Sequence, residues 1–555
     1  MLAQTPEPGQ ARRPPRAGRA QVAYFSLEYA LGDTLPLFAS GHGGLAADVL
    51  RAAADLHLPS VGVGILWDEA APHATRAGKP VSRRGLERVP FALEVEIAGE
   101  IVPLDAWVTQ PSRAHAPLYL LEPTLPEHRA LTRRPSGATE SERIAQEIIL
   151  GVGGVRLCAG LGLDIDVYHL SEGHAVFAAL ELLREEHAAG MGFGAALAAV
   201  RRRVVLTTHT ERDVDVEKHP LWLLRDLGTT LGLPEAWLDA LGGDPFSMTV
   251  AALRLAFRAA ATSEQLGDGA RKLWHEVSDR APIVAITSGV HLGTWQDPRV
   301  RSAHGRGELG AVRLELKREL GATLQARAHV TLDPRGLIVA AAARPGAEDR
   351  ADLIVGGDGA RLEALLETRR LQLVYACTAP PEGDAERARL AAWVAFARRW
   401  PGQVVVLEDA DLGVAAQLTR GADLWLRTPR PPTQTCGLTA MKAALNGALN
   451  LGVPGGGWSE GTRHGASAWH LAARGDDAAD RAALFELLER EVLPCWSEDR
   501  ERWLAMAEAS LEVARRRFSA ERMLESYYRL LYDPCLRHRG TSETPDVGDM
   551  IWEAP

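Results

Sequence analysis

Cysteine is scarce. The chain has 555 residues and five cysteines, Cys158, Cys377, Cys436, Cys495 and Cys535, which are scattered, odd in number and form no CxxC pair. That excludes a disulfide framework and a cysteine metal signature, and it favours reduced thiols in a cytoplasm. Excess positive charge is lacking too: the formal net charge is −10. Nucleic acid is therefore excluded as the main partner, because a phosphate backbone demands a basic face. No uninterrupted apolar run reaches the length of a membrane span, so no membrane association is expected. Residues 1–20, MLAQTPEPGQARRPPRAGRA, contain no apolar core of a secretory signal.

What is present is the composition of a soluble globular protein, 46% hydrophobic and 24% charged. The length exceeds what one hydrophobic core serves, so two or more domains are expected. Residues 1–20 read as a disordered basic tail. Val22–Ser26 reads as a buried strand, followed by Glu28. Ser40-Gly-His-Gly-Gly44 is a glycine-rich turn opening a helix from Leu45 to about Leu56. Such a turn is either an anion site or a tight turn that needs glycine for steric reasons. Residues 89–122 alternate apolar and polar positions, the mark of an antiparallel insertion. A helix is expected over Arg143–Leu161, strands over Asp166–Leu170 and Val204–His209, and helices over Ala175–His187 and Met248–Thr262.

Ile283–Thr287 begins a crossover, and a second series follows, with strands at Leu337–Ala342, Leu371–Ala376, Gln403–Leu407 and Asp423–Leu426 and a helix at Asp384–Arg399. Strand–helix alternation implies parallel sheets. The fold class is α/β, as two doubly wound Rossmann-like domains facing a cleft. The expected divisions are 21–290, 291–497, a helical segment at 498–535 packing back across both, and a tail at 536–555. Ligands of such sheets bind at the carboxyl ends of the strands. Glu28, the 40–44 turn, Glu172, His174, His209, Ser288, Arg344 and the Lys442 turn all follow expected strands.

The stretch from Gln434 to Leu451 reads as a polar turn running into a helix, with Met441, Ala444, Leu445, Ala448 and Leu449 at helical spacing and Thr439 as the N-cap. That places Lys442 in the first turn, where the helix dipole disfavours a cation. A desolvated lysine becomes a nucleophilic amine, suited to a Schiff base with an aldehyde cofactor. The plain alternative is a lysine lying along a core helix with its charge in water.

Eight segments carry a family resemblance: Tyr24-Phe-Ser-Leu-Glu-Tyr29, Ser40-Gly-His-Gly-Gly-Leu-Ala46, His169-Leu-Ser-Glu-Gly-His-Ala-Val-Phe177, Thr207-Thr-His-Thr210, Ser288-Gly-Val-His-Leu-Gly-Thr-Trp295, Arg350-Ala-Asp-Leu-Ile354, Leu407-Glu-Asp409 and Met441-Lys-Ala-Ala-Leu-Asn-Gly447. In this order the sequence resembles the α-glucan (glycogen/maltodextrin) phosphorylases, in particular their short bacterial branch, over about residues 20–535. The resemblance implies a GT-B fold and pyridoxal 5′-phosphate on Lys442. It implies phosphorolysis of α-1,4-glucan by inorganic phosphate to glucose 1-phosphate. Gly41, Gly43, Trp295, Gly437 and Thr439 match cofactor-side positions. Arg344 matches the arginine that grips the substrate phosphate. Glu28, Glu172, His174, His209, Ser288 and Gln434 match the substrate pocket. A homodimer is compatible with the resemblance.

The departures gather in the same place. Where the family has a phosphate-site lysine this chain has Asp349, and where it has a second basic residue this chain has Ala343. Gln434 replaces a sugar-contacting glutamate, Leu438 a threonine on the cofactor phosphate, Ser288 an asparagine and Ala410 a tyrosine. The Asp-Gly after the lysine helix reads Gly455-Gly456. Lysine to aspartate near a dianion changes the charge by two units, each worth about 4 kcal/mol at about 4 Å and an effective dielectric near 20. Arg350 is the alternative source of that charge. Three readings follow: a phosphorylase with an altered site, an impaired or inactive homologue that binds glucan or a partner, and a GT-B transferase using a nucleotide sugar.

Overall fold

The structure is a computed structural model. It describes residues 19–32, 35–37, 41–69, 81–109, 114–134, 139–209, 216–343, 345–346, 348–357, 359–377, 383–408, 410–431 and 437–538. The expectations for most of the tails, for Arg344 and for Gln434 lie outside them.

The first run of strands makes a nine-stranded sheet among the described residues. Its order is Ile283–Ala285, Arg258–Ala261, Val204–Thr208, Val167–Ser171, Val22–Phe25, Ser60–Ile65, Leu118–Pro123, Glu100–Thr109 and Leu86–Ile97. The first seven are parallel, and the last two add as an antiparallel hairpin at one edge. The central strands are apolar on both faces, as a sheet covered by helices on each side requires; all of Val22–Phe25, Val167–Ser171 and Val204–Thr208 is buried. The second sheet is wholly parallel, in the order Val404–Leu407, Leu371–Cys377, Leu337–Ala343, Leu424–Arg427, Leu449–Gly452 and Ala468–His470.

Each sheet starts in its middle and is extended first to one side, then to the other. In the first the reversal falls between Val22–Phe25 and Val167–Ser171; in the second, between Leu337–Ala343 and Leu424–Arg427. At such a switch point the two neighbouring crossovers lead away from each other and leave a crevice at the carboxyl ends.

The C-terminal helices belong to both halves. Trp503 and Met506, on Arg500–Arg517, join the core of the second sheet, while Ala520, Met523, Leu524, Tyr527, Tyr528, Leu531 and Tyr532 join the core of the first. The chain leaves the first half through Ser288–Val290 and returns through Phe518–Ala520. These crossings lie side by side: Val290 N–H donates to Phe518 O at 2.8 Å and Ala520 N–H to Val290 O at 3.0 Å. A Cβ on Gly289 would stand 2.2 Å from Ser519 O, so this contact needs glycine. No helix of the described residues is long and apolar enough to cross a membrane.

Several elements differ from the sequence reading. Residues expected as one helix over 143–161 form Glu140–Ile148, a π turn Ile149–Gly153 and Gly154–Gly160. A Cβ on Gly151 would lie 2.5 Å from the Ala178 nitrogen, so the backbones pack closely there. The expected helix 248–262 stops at Leu255, and Arg258–Ala261 is a strand between two others. Alanine favours helices, but burial in the sheet overrides that weak preference. The region 498–532 is three pieces, Arg500–Arg517, Ala520–Tyr527 and a π turn Tyr528–Tyr532, broken first at the crossing, and Asp533–His538 follows.

Candidate active site

The helix expected to open at Leu45 begins at Gly41, so Gly41 and Gly43 form its first turn rather than a loop before it. It runs to Asp55 and lays Leu45, Ala46, Val49 and Leu50 on the first sheet's core. Asp48 lies on this buried face and is 1% exposed. A buried carboxylate needs partners. Arg51 Nη1 supplies one at 2.9 Å, and the indole Nε1–H of Trp295 donates to both Asp48 oxygens at 2.9 and 3.2 Å.

Lys442 approaches from the other half, with its ammonium 3.5 Å from the centre of the Trp295 ring. An ammonium is attracted to the face of an indole. Among the described residues its nitrogen makes no hydrogen bond. The Gly41–Asp55 helix passes directly over it: a Cβ on Gly44 would stand 3.8 Å from Lys442 Nζ. Burial pulls the amine's pKa down to about 8, against an opposing pull from Asp48 and with help from Arg51.

The local helix differs from expectation in three ways. It spans only Leu438–Ala444; its N-cap is Gly437, at φ 77°, not Thr439, which makes no capping bond; and Lys442 lies in its last turn, not its first. The dipole therefore favours the cation, and the amine's pKa is lowered by desolvation first, with Arg51 adding to it. The residues expected to continue the helix form the strand Leu449–Gly452. Glycine at 437 is required by its backbone and by space: a Cβ would lie 2.4 Å from Arg427 Nη1 and 2.9 Å from Trp458. Leu438 is packed against apolar cores of both halves and offers no hydroxyl.

At the first sheet's carboxyl edge, Glu28, Glu172 and His209 follow the three adjacent strands Val22–Phe25, Val167–Ser171 and Val204–Thr208. Glu172 takes φ 69°, an uncommon conformation for a residue with a side chain. Its carboxylate accepts from the His209 backbone N–H and pairs with His209 Nδ1 at 2.7 Å. His174 follows in the short turn Gly173–Ala175. Beneath them His169 sits between the hydroxyls of Tyr532 and Thr207, both at 2.6 Å, and burial holds its pKa down at about 3, so it stays neutral. Ser288 is fully buried and its hydroxyl has no hydrogen-bond partner among the described residues. Arg143 lies 3.1 Å from Glu217 and 3.3 Å from Glu147 and feels the charge of Glu28.

The structure thus brings Glu172 to His209, and Lys442 to Trp295 and the Gly44 backbone. Gly437 caps the Lys442 helix beside Arg427. Arg350 does not supply the missing phosphate-site charge. It is 2% exposed, pairs with Asp480 at 2.7 Å and Asp477 at 3.1 Å, and donates to the carbonyls of Thr428 and Pro429. Asp48, Arg51 and Arg143 escaped the sequence reading. Asp48 had a signal: an acid three residues from Leu45 falls on the helix's apolar face.

No protein-family model matches the chain. It is 31% identical to a glycogen phosphorylase of Mycobacterium bovis over 92% of its length and 71% of the relative's. It is 29% identical to a maltodextrin phosphorylase of Thermococcus litoralis, over 93% of this chain and 71% of that one. An uncharacterised protein of Methanocaldococcus jannaschii is 29% identical over 92% of this chain and 99% of its own. The 31% identity to a glycogen phosphorylase, over 92% of this chain and 71% of the relative, places the chain in the glycogen and maltodextrin phosphorylase family.

Proposed function

We propose that the protein is a pyridoxal 5′-phosphate-dependent α-glucan phosphorylase of GT-B architecture, converting α-1,4-glucan ends and inorganic phosphate to glucose 1-phosphate. In this reading 21–290 and 291–497 are the two facing domains and 498–535 ties them. The observation that carries it is Lys442: a desolvated, unpaired amine on an indole face, with a pKa of about 8, in the second half's crevice. A purely structural lysine in that position would have an acidic partner in direct contact, whereas Asp48 acts on Lys442 only from beyond ion-pair distance.

These residues fit the cofactor. Lys442 would hold it covalently, Trp295 would form one wall, and the backbone from Gly41 to Gly44 would lie over it with free helix N–H groups for an anion. Bound there, the cofactor would supply a phosphate group able to exchange protons with the substrate phosphate. The chain's own part is positioning. Glu172 holds the orientation of His209 through Nδ1, and His209 would be a substrate contact. Arg344 would grip the substrate phosphate with its planar fork.

Borohydride reduction followed by peptide mass analysis tests the cofactor: a pyridoxyl group on Lys442 is expected, and an unmodified Lys442 in protein incubated with pyridoxal 5′-phosphate overturns it. Glucose 1-phosphate release from maltodextrin tests the reaction. A second reading, an impaired homologue that binds glucan, is favoured by a specific observation: Arg350 is locked in ion pairs beside Asp349, so that segment brings no mobile cation. Cofactor-loaded protein that releases no glucose 1-phosphate selects it.

A further inference from the structure

A cavity of about 690 Å³ lies among the C-terminal helices, about 80 residues beyond Lys442 in the chain. Arg522, Ser526, Arg529, Asp533 and Arg537 recur three or four residues apart and so share one helical face. Arg19 closes the opposite wall, its guanidinium 5.1 Å from the ring of Tyr528, which also holds the Ala20 carbonyl at 3.1 Å. Glu525 is the only other lining residue described.

Four arginines thus face two carboxylates on a protein whose net charge is −10. Among the described residues none of these arginines stands in an ion pair. A fifth, Arg258, feels the charge of Arg537 from the adjoining strand. Like charges held together raise the local potential and attract an anion.

Two buried atoms sharpen the chemistry. Arg522 uses Nη2 on the carbonyls of Thr287 at 2.5 Å and Ser288 at 3.2 Å, while its Nε–H is buried with no partner among the described residues. Burial lowers its pKa to about 10, which an anion beside it would reverse. Asp533 Oδ1 is likewise buried without a partner. A buried donor or acceptor left unmade is costly, so both atoms fit a ligand that completes them. The arginines call for acceptor oxygens carrying negative charge, and Asp533 calls for a donor. A single small molecule offers both when a phosphate group and hydroxyls share one skeleton.

We propose that this cavity binds a hydroxylated phosphate monoester, the phosphate on Arg522, Arg529 and Arg537 and a hydroxyl on Asp533. Because Arg522 also holds the segment joining the two halves, such a ligand would act on that joint. The proposal does not depend on what happens at Lys442.

Isothermal titration of the full-length protein with ribose 5-phosphate, inorganic phosphate and ribose tests it. Ribose 5-phosphate is expected to bind, inorganic phosphate more weakly, and ribose not at all. Arg529→Glu with Arg537→Glu, both exposed and outside any packed core, should weaken ribose 5-phosphate at least tenfold. Asp533→Asn should weaken ribose 5-phosphate and leave inorganic phosphate unchanged. Absence of ribose 5-phosphate binding at millimolar concentration overturns the proposal, as does binding that the double variant retains in full. Equal weakening of both anions by Asp533→Asn overturns the assigned hydroxyl contact.

Discussion

Two lysines of the second half rest on tryptophan rings, at opposite ends of the same sheet. Lys317 lies 4.6 Å from the Trp496 ring centre, beside the residues that lead into the strands: it pairs with Asp423 at 2.7 Å and donates to Gly336 O at 2.7 Å. Lys442 lies 3.5 Å from the Trp295 ring centre at the other end, with no such partner. Burial lowers both pKa values. At the amino ends of the strands a buried cation is neutralised and becomes part of the scaffold. At the carboxyl ends it is left unneutralised, and its proton becomes easy to remove. Aromatic contact alone therefore does not distinguish a structural lysine from a reactive one; the paired carboxylate does.

The largest test of that contrast exchanges the two side chains for methionine. Lys442→Met should abolish pyridoxyl incorporation and glucose 1-phosphate release while the thermal midpoint stays near wild type. Lys317→Met should do the opposite, leaving buried Asp423 with only Arg313, 3.8 Å away, as a counter-charge, at a cost of up to about 3–5 kcal/mol, read by denaturant unfolding. A Lys442→Met protein that unfolds readily would place both lysines in the scaffold.

Next in size is Asp349→Lys. On the phosphorylase reading it restores two charge units beside the phosphate, and glucose 1-phosphate release should rise at least tenfold, about 1.4 kcal/mol in transition-state energy. No gain, with cofactor bound, would mean that position 349 does not face the phosphate.

Smaller effects are read by pH. The folded pKa of Lys442 is below its unfolded value, so the unfolded chain holds more protons between about pH 8 and the ordinary lysine range. Its contribution to stability accordingly rises with pH across that window, and Lys442→Met should remove that slope. Labelling of the cofactor-free amine should show a midpoint near 8. Asp48→Asn, which removes the charge that supports the ammonium, should lower the midpoint further; an upward move would contradict the electrostatics assigned here.

Much of this was legible in the chain. The apolar runs Val22–Ser26 and Leu371–Ala376 announce buried parallel strands, found at Val22–Phe25 and Leu371–Cys377, and the helix Asp384–Arg399 is legible to the residue. Glu172 and His209 declared themselves by following strands, and their mutual contact is a product of adjacency in the sheet. The misses share a cause. Alanine-rich Arg258–Ala261 and Leu449–Gly452 carry helical or ambiguous local signals, and only pairing with neighbours distant in sequence makes them strands. The π turn Ile149–Gly153 depends on Gly151, which faces another helix's backbone. Arg350 was read as an available cation because its partners, Asp477 and Asp480, are about 130 residues away. Periodicity reports a residue's own element and is silent about who meets it.

The paired crossings at Val290 and Ser519 have a mechanical consequence. Two strands of chain joined by hydrogen bonds at a narrow waist behave as one strap, which twists easily but resists being pulled apart. A change in the angle between the halves would then pivot on these crossings and would have to break the Trp295–Asp48 bond as well. A residue inserted into one strand of the strap would change the tilt of the whole second half, although it touches neither lysine nor sheet.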